Sequence, residues 1–266
     1  MVTKRWRPRQ MEEKQIGSIQ SVKNALKMIE SIGELQPVGV SELSRHVGLP
    51  KSSVQRALTT LGNAGWIKQL PDDQSRWQLT TVMLAISLMA FGEHSLVELA
   101  DPAMRELQQR TGETIHLISL DGDSGLILHR VDSEHTVRTF VPVGTRSPLH
   151  ATAAGQAMLA FMPPETTDEI LRRSLGSFTE QTVTDPAVLI ERLEVVRERG
   201  YAVNVAEWRR EVASISCAIR AAHGAVVGAL TISIPLSRFS ESLVPLYGSW
   251  LKELTESITP ISSRRV

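Results

Sequence analysis

Apolar residues recur at Ile19, Val22, Leu26, Ile29 and Ile32, a helical stripe that Gly33 is placed to stop. A second short helix is predicted over Ser41–Val47, with Val40, Leu43 and Val47 on one face, and Gly48 breaks it. A third is predicted from Pro50 or Lys51 to Ala64, with Val54, Ala57, Leu58 and Leu61 on its apolar side. Pro50 suits a helix start, where its missing N–H is no loss. Two strand-like runs, Trp66–Leu70 and Arg76–Leu79, then flank the polar turn Pro71–Ser75. Three short helices and a hairpin predict a winged helix-turn-helix, with Val47–Pro50 as the tight turn between the second helix and the third.

Helical patterns follow over Thr80–Phe91 and Ser95–Thr111, separated near Gly92. The first is apolar on nearly every side, at Val82, Met83, Leu84, Ile86, Leu88 and Met89. Such a segment is either a core helix or a connector that packs against a partner chain. From Thr114 the pattern changes to strands. Thr114–Leu120 and Gly125–Val131 are joined by the turn Asp121–Ser124, and Val137–Val143 is a further strand candidate. Helices are expected over His150–Phe161, Thr167–Arg173, Ala187–Arg199 and Leu243–Ile258, and strands over Val212–Ile219 and Val226–Ile234. This interleaving around a mainly antiparallel sheet is an α+β architecture.

Composition narrows the class. With 266 residues, 42% hydrophobic and 22% charged, the chain is ordinary globular protein with room for two domains, not a disordered, collagenous or disulfide-built one. Its formal net charge is zero. That zero conceals a sorting. Residues 1–80 hold 12 Lys/Arg against 7 Asp/Glu, and residues 81–266 hold 17 against 22. Such asymmetry suggests that the N-terminal part meets a polyanion. Residues 1–14, with Lys4, Arg5, Arg7 and Arg9, read as a flexible basic arm. Cys217 is the single cysteine, so no internal disulfide forms. The longest apolar stretch, Val82–Phe91, is too short to cross a bilayer, and no leader precedes it. A cytoplasmic protein without a membrane partner is expected.

The third helix carries the clearest chemistry. Away from its apolar stripe it presents Lys51, Ser52, Ser53, Gln55, Arg56, Thr59 and Thr60, and no carboxylate occurs between Lys51 and Asp72. Gln and Arg make bidentate contacts to adenine and guanine in a major groove, while Lys, Ser and Thr hold phosphates. A solvated helix face would look much the same in isolation; the preceding helix, the hairpin and the basic arm favour DNA. Arg76 beside the hairpin tip is placed to reach a minor groove or phosphates, though Asp72 and Asp73 at the tip disfavour them. Gly122-Asp123-Ser124-Gly125 is a hairpin turn, not a protease nucleophile segment. None of the seven histidines has metal-ligand spacing, and no phosphate-binding loop is present. No catalytic set, metal or cofactor is indicated. The small-residue run Ala151–Ala157 allows either close helix packing or anion binding at a helix N-terminus.

Five ordered motifs add a resemblance: Ile19–Val22, Gly48–Val54, Thr111–Leu117, Val143–Ala153 and Val196–Ala202. Over residues 17–260 the chain resembles the IclR family of bacterial transcriptional regulators. The resemblance implies a winged helix-turn-helix DNA reader at 15–80, a linker helix at 81–96 and a GAF-like effector-binding domain at 97–266. It implies homodimers, commonly paired as dimers of dimers, on a double-stranded DNA operator. It also implies a small-molecule effector that controls repression or activation. By position, the effector candidates are Ala154, Gly155, Asn204, Ser214, Thr231 and Ser233. Many members carry an acidic pair followed by Glu and His after the Arg-Gly-Tyr motif. This chain has Asn204-Val205-Ala206-Glu207-Trp208, so the first acid is neutral and Trp208 joins the candidates. A neutral, hydroxyl-lined pocket beside a tryptophan suits a larger or aromatic acid.

Overall fold

The computed structural model describes residues 18–91 and 95–258; the basic arm lies outside them. They form two compact units.

In the first unit, α1 (Gln20–Leu35), α2 (Val40–Val47) and α3 (Lys51–Asn63) surround a core built from Met28, Ile32, Leu43, Val54, Leu58 and Trp77, among others. The stripe on α1 is only partly used: Ile29 and Ile32 are buried, whereas Ile19, Val22 and Leu26 are exposed. The turn between α2 and α3 needs glycine. Gly48 has φ +71° and donates its N–H to the Ser44 carbonyl at 3.0 Å, and the Ser44 hydroxyl donates to the Leu49 carbonyl at 2.6 Å. The expected hairpin forms from β2 (Ile67–Gln69) and β3 (Arg76–Leu79). An unexpected strand, β1 (Val38–Gly39), pairs with the other edge of β3. Two residues are too few to show alternation in a sequence. A helix α4 (Val82–Phe91) follows, with Met83, Leu84 and Ile86 exposed.

The second unit opens with α5 (Leu96–Thr111), started by a reciprocal capping box between Ser95 and Glu98. Its centre is a sheet of β4 (Thr114–Asp121), β5 (Ser124–Val131), β6 (Arg146–Pro148), β7 (Ala202–Val205), β8 (Val212–Arg220) and β9 (Val226–Pro235). The order is β6-β5-β4-β9-β8-β7, with every neighbouring pair antiparallel. One face turns Ile115, Leu117, Ile215, Leu230 and Ile232 towards α5 and α9 (Val244–Ser257). The opposite face turns Ile118, Ala218 and Ala229 towards α6 (Ala153–Phe161), α7 (Pro164–Leu171) and α8 (Pro186–Arg199). Both faces are therefore covered.

Several expectations are corrected. Val137–Val143 is not a strand. Side chains satisfy that segment instead: Thr114 Oγ1 donates to the Thr139 carbonyl at 3.2 Å, and Arg130 Nη1 to the Val141 carbonyl at 2.8 Å. The strand beside β5 is the short β6. The small-residue helix begins at Ala153, not His150, because Thr152 adopts extended backbone and accepts the Gly155 N–H at 3.1 Å as N-cap. The helix expected at Thr167–Arg173 starts earlier, at Pro164, whose ring suits the first turn. Strand β7 was not anticipated.

Gly155 sets how closely α6 approaches the chain before it. A Cβ there would lie 2.1 Å from the Leu149 carbonyl oxygen and 2.2 Å from its Cα. Backbone would have to move. Gly155→Ala should therefore destabilise this unit by at least the ~1–3 kcal/mol of an overpacked core. Urea unfolding of the full chain followed by circular dichroism checks this, and an unchanged midpoint would contradict the close approach.

Candidate functional site

The polar face of α3 is open. Lys51, Ser52, Gln55, Arg56, Thr59 and Thr60 are exposed and Ser53 is half-buried, while Val54, Leu58 and Leu61 anchor the opposite side. Thr59 and Thr60 donate their hydroxyl protons to the carbonyls of Gln55 and Arg56, at 3.0 and 2.9 Å, which leaves oxygen lone pairs outward. No acid sits in the first turn of α3 and no side chain caps it, so its positive dipole end is uncompensated. Arg76 stands apart from this face. It donates to the Pro37 carbonyl at 2.7 Å and lies 3.6 Å from Asp73 and 3.9 Å from Glu42. Asp73 itself is turned into the hairpin tip, accepting from the Ser75 N–H at 3.0 Å. Hydrogen bonds from Ser75 hold its carboxyl below the ordinary aspartate range.

In the second unit, the sheet face beneath α6 carries a cavity with about 550 Å³ of space between atoms, its mouth included. Of the seven effector candidates, Ala154, Asn204, Trp208, Ser214, Thr231 and Ser233 line it. Gly155 does not; its place is against Leu149. Strand periodicity explains the convergence. Ser214 on β8 and Thr231 and Ser233 on β9 point to the face opposite Ile215, Leu230 and Ile232.

Asn204 braces the wall. Its Nδ2 donates to the Ala151 carbonyl at 3.3 Å, and its Oδ1 accepts the Glu207 N–H at 3.4 Å. A carboxylate could not donate to Ala151, so the neutral amide suits this neighbour. Glu207 faces away from the lining: it is buried and paired with Arg192 at 2.7 Å. Ala206, with φ +59°, carries the chain round the tip, and Thr179 Oγ1 donates to its carbonyl at 2.7 Å.

Two lining residues were missed from the sequence. Arg209, in the β7–β8 loop, is the only charged residue in the lining. Its guanidinium lies 4.7 Å from the Trp208 ring centroid, and partial desolvation lowers its pKa without discharging it. His116 lies on β4 and is 2% exposed. Its Nδ1 is 3.0 Å from Ser233 Oγ, while its Nε2 is buried without a hydrogen-bond partner among the described residues. Strand alternation could have found His116, since it lies between the inward Ile115 and Leu117. Nothing in sequence marks a loop arginine. At the start of α6, the Ala153 and Ala154 N–H groups have no partner among the described residues, and both residues line the cavity.

With this geometry in place, the class is plain: a DNA-binding helix-turn-helix unit joined to an α+β unit with a cavity beneath its small-residue helix. The chain matches the description "Bacterial transcriptional regulator IclR C-terminal" over residues 89–260 and "IclR helix-turn-helix domain" over residues 21–71. It belongs to the IclR family of bacterial transcriptional regulators, and is a transcriptional regulator and not an enzyme. It is 33% identical over 248 residues to the HTH-type transcriptional regulator KdgR of Escherichia coli strain K12, covering 93% of this chain and 94% of that one. The crystal structure of Thermotoga maritima IclR shares 28% identity with a TM-score of 0.73, over 90% of this chain and 96% of that one. An IclR homologue from Microbacterium hydrocarbonoxydans, complexed with 4-hydroxybenzoate, shares the fold. Its TM-score is 0.74 at 24% identity, over 90% of this chain and 97% of that one.

Burial lowers the His116 pKa to about 4, with Arg130 and Arg209 pushing the same way and Asp132 opposing. The unfolded chain therefore binds the proton first. Stability attributable to neutral His116 is present above pH ~6.5 and is lost as pH falls towards 4. The expected loss is about 3 kcal/mol. Chemical denaturation of wild type and His116→Gln between these limits should show this increment only in wild type; parallel curves would contradict it.

Proposed function

We propose that the chain is a cytoplasmic, ligand-responsive and sequence-specific regulator. A homodimer sets two copies of α3 in successive major grooves of a near-palindromic operator. The observation that carries this reading is the exposed α3 face, polar and cationic without a carboxylate. In it, Gln55 and Arg56 read bases, and Lys51, Ser52, Ser53, Thr59 and Thr60 hold phosphates. Arg76 and the basic arm at 1–14 add contacts to the backbone, Arg76 by leaving its Pro37 carbonyl. The exposed apolar residues of α1 and α4 support burial between copies, and pairing of dimers completes the assembly. Among the described residues no helix is long and apolar enough to cross a membrane, and no group of three or more His, Cys, Asp or Glu could hold a metal.

The effector in this reading is a small organic or aromatic acid in the cavity beneath α6. Its carboxylate meets the Ala153 and Ala154 N–H groups at the helix N-terminus, in the field of Arg209. The homologue holding 4-hydroxybenzoate is consistent with an acid in this fold. Residues 81–96 link the two units, and the effector shifts their arrangement by binding one state better than the other.

A consensus operator selected from random DNA provides the test. Gln55→Ala and Arg56→Ala should each weaken its binding by about 1–3 kcal/mol and relax preference at one base position. Lys51→Ala should weaken all sequences alike and lower the salt slope by about one. Unchanged affinity in all three variants would overturn the interface.

A further inference from the structure

The orphaned nitrogen of His116 points to a second recognition element, one that rests on the acid-binding reading above. His116 projects from the middle of β4 into the cavity, is 2% exposed, and has no partner for Nε2. A buried polar atom without a protein partner is costly, so Nε2 is suited to a partner that enters the cavity. Its protonation follows from its neighbour. Ser233 is also buried, and among the described residues its hydroxyl has one partner, His116 Nδ1 at 3.0 Å. Giving the Ser233 proton to the Nδ1 lone pair leaves one group unmatched, Nε2, whereas the reverse leaves two, Nε2 and the serine hydroxyl. The neutral imidazole then carries its own proton on Nε2, facing the cavity as a donor.

We infer that His116 reads the effector: its Nε2–H donates to an acceptor oxygen, a carbonyl or hydroxyl, on the effector acid remote from the carboxylate held at α6. The effector class is thereby narrowed to oxygen-substituted monocarboxylates. The surroundings fit. Thr231, directly opposite His116 in the sheet, is tied to Ser216 at 2.8 Å, and Thr139 Oγ1 donates to the Ser233 carbonyl at 3.1 Å. Those two hydroxyls are already engaged, so neither competes with His116 Nε2 for an acceptor at this point of the cavity floor. Its depressed pKa keeps it neutral at physiological pH, so it selects by hydrogen bonding and not by charge.

The test uses the full chain and matched acids that differ by one oxygen function remote from the carboxylate: 4-hydroxybenzoate with benzoate, and 4-oxopentanoate with pentanoate. Calorimetric binding to wild type should favour the oxygenated member of at least one pair by about tenfold or more. His116→Gln, which keeps an N–H donor, should retain that preference. His116→Phe should bring the ratio close to one, read as a ratio within the variant. A preference that survives in His116→Phe, or wild-type binding with no preference, overturns the role of His116 alone. No binding of any acid overturns the acid-site reading beneath it as well. If His116→Phe does not fold, histidine-selective 15N spectra of wild type decide. A protonated Nε2 whose resonance moves on adding the preferred acid supports the inference, and an Nδ1-protonated ring or an unmoved resonance overturns it.

Discussion

Helices on both faces of the antiparallel sheet impose the condition from which the site follows. An antiparallel sheet commonly leaves one face to water. Here both are covered, so the side chains in the middle of β4, β8 and β9 end in packed protein on either face. On the face beneath α5 and α9 this is met by Ile115, Leu117, Ile215, Leu230 and Ile232. On the face beneath α6 the same strands present His116, Ser214, Ser216, Thr231 and Ser233, which an apolar core would not accommodate. A row of polar groups beneath a helix of small residues leaves a cavity there in place of a solid apolar core. The fit depends on Gly155, where helix and backbone meet too closely for any side chain.

The two units divide the electrostatic work. The net positive charge of residues 1–80 includes α3, whose exposed side has cations, amides and hydroxyls and no acid. The other unit carries the excess of carboxylates, yet none of them lines its cavity. Glu207, the acid nearest that wall in sequence, is turned away and neutralised by Arg192. Local placement outweighs the domain's net charge, because desolvated groups at short range dominate screened ones at the surface.

Periodicity made the long elements legible. The three helices around Leu43 and Leu58, the β2–β3 hairpin, and the strands β4, β5, β8 and β9 follow from spacing alone. Three short strands without a hairpin turn to mark them did not show themselves: β1, β6 and β7 have two to four residues each, and pairing with neighbouring strands is what stabilises them. Val137–Val143 misled in the opposite sense. It alternates like a strand, but Thr114 and Arg130 satisfy its carbonyls in place of a partner strand.

The sequence by itself determined the class of protein, its family and the outward chemistry of α3, because an amphipathic helix fixes both its buried and its exposed side through one local period. It also named six residues that line the cavity, through motif position. Tertiary structure alone decided the rest. It withdrew Gly155 from the lining, drew Arg76 back to the Pro37 carbonyl, brought in Arg209, and paired His116, whose inward face strand alternation does show, with Ser233. Two of those outcomes depend on atoms far apart in the chain, Pro37 against β3 and Ser233 against His116, and Gly155 depends on the turn that folds Leu149 back onto α6. No local period records such distances, so only the folded chain could reveal them.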